Sequence, residues 1–305
     1  MVSIVTKRIK GNEYLYLVNS VRKGIKITQK TIKYIGKKRP ILREEFECMR
    51  LSYQNKDWIL NEFQEHLSYQ DHHFLKEISN KAKKHYNFLD SVSREKARER
   101  FLSMFISNSN AIEGSRLTVK ETFNLLFNDI TPKGSTKKEV YMAFNLLNAW
   151  EYLEKNYKHF PSHADLWKLH SLVNKNIEDD TSLESYKKVQ NYIGDIYTSS
   201  WLFVDEKMET LLQWIKNAYK KIDDFEVAFQ SHAQFEIIHP FVDGNGRVGR
   251  LLLNWLLMHK GLMEFAIHVS KRSEYITALE NSKKGKIEAI CSFCCKSYKL
   301  QYNFV

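Results

Sequence analysis

Twelve residues, His239-Pro-Phe-Val-Asp-Gly-Asn-Gly-Arg-Val-Gly-Arg250, bring a potential base, a carboxylate, a Gly-Asn-Gly turn and two guanidinium groups into one short stretch. An apolar run follows at once: Leu251, Leu252, Leu253, Trp255, Leu256 and Leu257. The stretch therefore reads as a loop feeding the N-terminus of a buried helix. Such a terminus attracts anions, because its first backbone N–H groups lack intrahelical partners and the helix dipole places partial positive charge there. Gly244 and Gly246 let the backbone approach a ligand closely and take positive φ. Arg247 and Arg250, three apart, share a helix face and can fork onto phosphate oxygens. The chemistry these residue types suit is the binding of a polyphosphate with a metal ion. Taken singly, each is ordinary: a His before Pro-Phe or an Asp-Gly is a turn, and an Arg pair is a solvated face. Only the constellation is specific.

The elements that must position this loop are mostly helical. Residues 138–153 place Val140, Met142, Phe144, Leu147, Trp150 and Leu153 close to helical spacing. Leu166, Leu169 and Leu172 predict a second helix, capped by Ser162, with His170 as a satisfied core histidine. Residues 189–198 are rich in β-branched and aromatic types around Gly194-Asp195 and predict a short hairpin. Upstream, Glu113 precedes Gly114 at a predicted helix end. A carboxylate there, brought near Arg250, would form a bidentate salt bridge and occupy that arginine.

The twelve-residue stretch resembles the signature of the Fic (Fido) family, H-x-F-x-[D/E]-G-N-G-R-x-x-R, at every fixed position. The lead-in from Ala233 to Phe241 is also similar. Ser109-Asn-Ala-Ile-Glu-Gly114 resembles the family's inhibitory motif, [S/T]-x-x-x-E-[G/N], and Leu117-Thr-Val-Lys-Glu-Thr122 beside it fits too. The resemblance covers residues 95–300 and implies a protein adenylyltransferase of the class with an N-terminal inhibitory helix. That enzyme would move AMP from ATP to a Ser, Thr or Tyr hydroxyl of a target protein, with self-modification as a further outcome. By resemblance, His239 would be the general base and Asp243 would hold Mg²⁺. Gly244, Asn245 and Gly246 would surround phosphate oxygens. Arg247 would meet the β-phosphate and Arg250 the γ-phosphate, with Phe241 anchoring the loop. Ser109, Glu113 and Gly114 would form the brake, and the resemblance leaves open whether Glu113 also serves AMP removal. Asn191, Tyr192, Ile193, Gly194 and Asp195 would form a flap that lines the target segment by strand addition. Tyr275, on the helix expected to close the adenine side, would stack on the base or lie in the core. The chain departs from the family before the flap, where Ser185-Tyr-Lys-Lys188 stands in place of an arginine context, and the usual proline pair after it is absent. These departures bear on target choice more than on catalysis.

Charge divides the chain. Net charge is +11 over 305 residues, yet residues 1–40 hold eleven Lys or Arg and one acid, Glu13; the remainder is nearly neutral, with 36 bases against 35 acids. Residues 2–9, 13–21 and 25–35 predict a three-stranded meander whose basic face carries Tyr14, Tyr16 and Tyr34. Such a ribbon suits nucleic acid, its cations neutralising phosphates and its rings stacking on bases; the plainer reading is a solvated docking sheet. A nucleic-acid-associated regulator whose Fic core senses nucleotide is the alternative function. Residues 41–95 predict amphipathic helices, 44–69 and 73–89, as a linker or homodimer surface. The expected architecture is mainly α. A basic β module (1–40) and a helical linker (41–95) precede a Fic-type helical bundle with a hairpin flap (96–300), and the inhibitory helix lies around 105–114. Cys291, Cys294 and Cys295 lack a partner pair at zinc spacing and read as buried thiols. No Walker-A match and no apolar run near 18 residues appears, which sets aside a P-loop ATPase and a membrane span and predicts a cytoplasmic protein.

Overall fold

The computed structural model describes residues 1–24, 26–54, 62–178, 184–193 and 196–302. Three strands come first: β1 (Val2–Ile9), β2 (Asn12–Lys23) and β3 (Lys26–Lys37), paired antiparallel in that order. Lys10 and Gly11, both at positive φ (47° and 83°), make the two-residue turn between β1 and β2. That conformation matches the twist of the strands it joins. Alternation then sorts the side chains. Val2, Leu15, Leu17 and Ile35 form a small core with Met49 and Phe203, and the Tyr34 ring meets those of Tyr14 and Tyr16.

Helices follow: α1 (Arg43–Tyr53), α2 (Tyr69–Phe88), α3 (Ser91–Ile112), α4 (Val119–Phe127), α5 (Lys137–Asn156) and α6 (His163–Asn174). A minimal hairpin, β4 (Tyr192–Ile193) and β5 (Ile196–Tyr197), interrupts them. Then come α7 (Val204–Ala218), α8 (Asp224–Ile238), α9 (Asn245–His259), α10 (Arg272–Lys283) and α11 (Glu288–Tyr302). Local chemistry sets several starts. Ser68, Thr118, Thr136 and Ser162 each close a capping box with the acid three residues on, satisfying two orphan backbone donors apiece. Helix α8 is buried at every position from Phe225 to Ile238, as a helix at the centre of a domain must be. It packs with α9, whose Leu251, Leu252, Leu253, Trp255, Leu256 and Leu257 have no solvent exposure.

The mainly helical fold agrees with the sequence reading, and helices stand over 44–53 and 73–88 as expected, but the segment 41–95 is not set apart from the bundle. Leu75, Ile78 and Ala82 of α2 lie in the main core, and α3 runs unbroken through the expected boundary at 95–96. Residues 62–68, expected to be helical, lie outside helix; Glu226 of α8 accepts hydrogen bonds from the His66 and Leu67 backbone N–H groups, both at 2.6 Å. The segment expected as an inhibitory helix around 105–114 is the last part of α3 and its cap rather than a helix of its own.

Candidate active site

Helix α8 ends at His239, whose φ of 53° and ψ of 62° are left-handed and turn the chain away from the helix axis. A non-glycine residue in that region is strained and is held there by its surroundings. The following loop is held by its own side chains. Phe241, 1% exposed, stacks on His170 at 3.9 Å between centroids and 5° between planes. Asn245 accepts from the Phe241 N–H through Oδ1 and donates to the Phe241 carbonyl through Nδ2, both at 2.8 Å. Asp243's carbonyl accepts from His170 Nε2 (3.1 Å) and Asn174 Nδ2 (3.3 Å). Gly244, at φ 76°, caps α9, and a Cβ there would strike the Asn174 side chain. The first intrahelical bond of α9 runs from Val248 N to Gly244 O. The N–H groups of Asn245, Gly246 and Arg247 precede it, as the sequence predicts for an anion site.

The two arginines are engaged by different helices. Arg250, 2% exposed, donates from Nε to Ser109 Oγ (2.8 Å) and from Nη2 to the Ser109 carbonyl (2.9 Å) and Glu113 Oε1 (2.7 Å). The Glu113 contact is one hydrogen bond, not the bidentate pair expected, because Ser109 occupies the rest of that edge. Arg247 turns towards α6, donating to Asn174 Oδ1 at 3.0 Å; Asp243 lies 3.9 Å away. Burial disfavours its charged form and lowers its pKa. The shared helix face thus splits between α3 and α6.

A cleft of about 210 Å³ opens beside this loop, with Glu113, Glu236, His239, Gly246, Arg250 and Tyr275 in its wall. Ile237, Ile276 and Leu279 give it an apolar side. Among the described residues, Asp243 and Arg247 are not in that wall; the Asp243 carboxylate points outward, 61% exposed. A Cβ on Gly246 would collide with the Glu113 carboxylate and reach within 3.0 Å of Arg250 Nη1, so glycine leaves room for the Glu113–Arg250 contact. His239 Nδ1 is buried and has no hydrogen-bond partner among the described residues. Burial, then the nearby Lys187 cation, pulls its pKa down to about 3, well below the value expected from an unperturbed imidazole. Tyr275 is 1% exposed, its hydroxyl at 2.8 Å from His232 Nε2 and its ring against Phe293. It forms the floor of the cleft.

Several residues here were not singled out from sequence. Glu236, three before His239 on α8, is buried with Oε1 unpartnered, and burial raises its pKa to about 8. Its spacing from His239, one helical turn, is the signal that would have found it. Asn174, four after His170, carries the loop from behind. Lys187 replaces the expected arginine context: buried, it donates from Nζ to Asn191 Oδ1 (2.6 Å) and Thr198 Oγ1 (2.9 Å), while its N–H bonds the Pro240 carbonyl (2.8 Å). Asn191 Nδ2 in turn donates to the Phe241 carbonyl at 2.7 Å. The base of the flap is therefore tied to the loop. Tyr192 and Ile193 pair with Tyr197 and Ile196; Gly194 and Asp195 lie outside the described residues.

An imidazole, a glycine-rich turn and two arginines around a helix N-terminus, on this helical frame, define a protein of the Fic fold. Two solved structures share it. The 134–508 fragment of Fic-1 from Caenorhabditis elegans has a TM-score of 0.67 at 24% identity, covering 76% of this chain and 71% of that one. A Fic domain containing signaling protein from Bacteroides thetaiotaomicron has a TM-score of 0.67 at 22% identity, covering 76% and 95%. Residues 160–257 match the Fic/DOC family. The protein adenylyltransferase fic-1 of Caenorhabditis elegans is 27% identical over 200 residues, 63% of this chain and 39% of the relative. A probable protein adenylyltransferase of Aquifex aeolicus is 41% identical over 87 residues, 28% of this chain and 26% of the relative. The chain thus matches less than half the length of these curated relatives. No described helix is long and apolar enough to cross a membrane.

Proposed function

We propose that this chain is a protein adenylyltransferase: it transfers AMP from ATP to a Ser, Thr or Tyr hydroxyl of a target protein and is held back by Glu113. The observation that carries this reading is the junction of α3 with α9, where Glu113 and Ser109 occupy the Arg250 guanidinium at the mouth of a cleft that also holds His239. In the reaction, the target oxygen bonds to the α-phosphorus and the bond to the bridging oxygen breaks, releasing pyrophosphate. The hydroxyl proton passes to His239. A neutral imidazole has one ring nitrogen free to accept it, and the incoming triphosphate's negative charge raises the basicity that burial has lowered. The N-terminus of α9 receives the phosphates, and Arg250, once freed, the terminal one.

Mg²⁺ fits the residues present. Asp243 offers an exposed carboxylate, and no cluster of three or more His, Cys, Asp or Glu suited to a metal occurs among the described residues. One protein carboxylate, completed by phosphate oxygens and water, is a common way of holding this ion. When bound it neutralises phosphate charge.

The test is label transfer from α-³²P-ATP with Mg²⁺ to a cell extract and to the chain itself, comparing wild type, Glu113→Gly and Glu113→Gly/His239→Ala. The single variant is expected to exceed wild type by roughly 10- to 100-fold, the equivalent of one charge-assisted hydrogen bond of about 1.5–3 kcal/mol, and the double variant to show none. Equal labelling of wild type and Glu113→Gly would remove the brake from this account. Labelling that survives His239→Ala would remove the base.

A further inference from the structure

The N-terminal sheet has one covered face and one open face. On the covered face Leu15 and Leu17 pack with Met49 and Phe203, and the bases towards the body or the sheet's end are matched: Lys33 with Glu206, Lys38 with Glu13, Arg39 with Glu45. On the open face the register sets Lys7, Tyr14 and Lys37 in one row across all three strands. The next row is Val5, Tyr16 and Tyr34. The three tyrosine rings form one cluster, Tyr14 to Tyr34 at 6.0 Å and Tyr16 to Tyr34 at 5.3 Å, with Tyr34 52% exposed. Lys7 Nζ lies 4.6 Å from the centroid of Tyr16. Lys7, Arg22 and Lys37, which the register sets on this face, form no ion pair among the described residues.

We propose that this open face binds single-stranded nucleic acid, stacking bases on Tyr34 and Tyr14 and holding phosphates with Lys7 and Lys37. Uncompensated cations alone would serve any polyanion. The tyrosines narrow the choice, because an exposed ring beside cations recognises a base whose own face is free, and only unpaired strands offer that. A duplex hides its base faces, and an anionic bilayer needs no such ring cluster.

The experiment measures binding of the full chain to a fluorescein-labelled 20-nucleotide RNA and DNA strand of mixed sequence, the corresponding duplex, and phosphatidylserine vesicles, over a range of salt. Single strands are expected to bind best, RNA against DNA identifying the source. Tyr34→Ala, at an exposed position, is expected to weaken binding about fivefold or more with unchanged Tm and unchanged AMP transfer. Lys7→Gln/Lys37→Gln is expected to flatten the salt slope by about 1.4, from about 0.7 per phosphate contact on single strands. Duplex or vesicle binding as tight as single-strand binding, no binding at all, or a Tyr34→Ala/Tyr14→Ala chain that binds like wild type would each overturn the proposal.

Discussion

His232, His239 and Glu236 lie within two turns of α8, and burial holds all three uncharged: His232 and His239 are pulled down to about 3, Glu236 pushed up to about 8. The two histidines bind a proton in the unfolded chain below about pH 6.5 but not in the native one, so stability falls as pH drops from there towards 3. Glu236 has the opposite sign: the native state keeps a proton that the unfolded chain releases above about pH 4.5, so stability also falls as pH rises towards 8. His239→Asn keeps a residue type tolerant of the left-handed backbone, and its Tm should fall less than wild type between pH 7 and 5. Glu236→Gln should gain Tm relative to wild type between pH 5 and 8. Parallel Tm curves for all three chains would show that these groups titrate normally. Little of this was visible beforehand. The order His239, Asp243, Arg247, Arg250 could be read directly, because the residues are consecutive in a loop and its helix. The state of each group could not, since it depends on Lys187, Ser109 and the walls of α8.

At the scale of elements, α3 and α6 grip α9 from two sides, one through Arg250 and the other through Arg247. Asn174 is the hinge pin of the second grip, touching Arg247, the Asp243 carbonyl and, at 2.9 Å, Glu178. Asn174→Ala would leave buried polar groups unpaired, at a cost of about 1–3 kcal/mol. It should lower Tm by several degrees and raise KM for ATP, with Glu113→Gly as the background for kinetics. A change in Tm alone would confine Asn174 to stability. The helices that announced themselves were those with Ser or Thr caps and regular apolar spacing, such as α5 and α6. Helix α3 hid its extent because it buries Ser103, Ser107, Asn108, Ser109 and Asn110. Polar residues used for interhelical bonding blur the apolar stripe on which periodicity depends. Residues 62–68 read as helix because their irregular path depends on Glu226, about 160 residues away in sequence.

For the whole molecule, the front sheet and the Fic bundle meet through α1 and the turn at Trp201–Phe203, with Ser52 Oγ accepting from Ser200 N at 2.8 Å and Trp201 Nε1 donating to Glu45 at 3.2 Å. That turn begins just after the hairpin, so the sheet and the hairpin share a support. Strand alternation made the sheet legible from sequence; which of its faces stays open depends on α1 and Phe203, which no local pattern could show. The proposed brake has its own geometry within this frame. Glu113 is the C-cap of α3, followed by Gly114 at φ 99°. A carboxylate at that end faces the negative pole of the helix, where the dipole opposes it. Its grip therefore depends on Arg250 and is resisted by the helix it stands on. Release of the proposed brake is expected to need only unwinding of the final turn, with no movement of a domain. Amide exchange at 109–114 should accordingly be faster than in the middle of α3 and should quicken selectively as salt rises, the behaviour of a spring-loaded catch rather than a bolt.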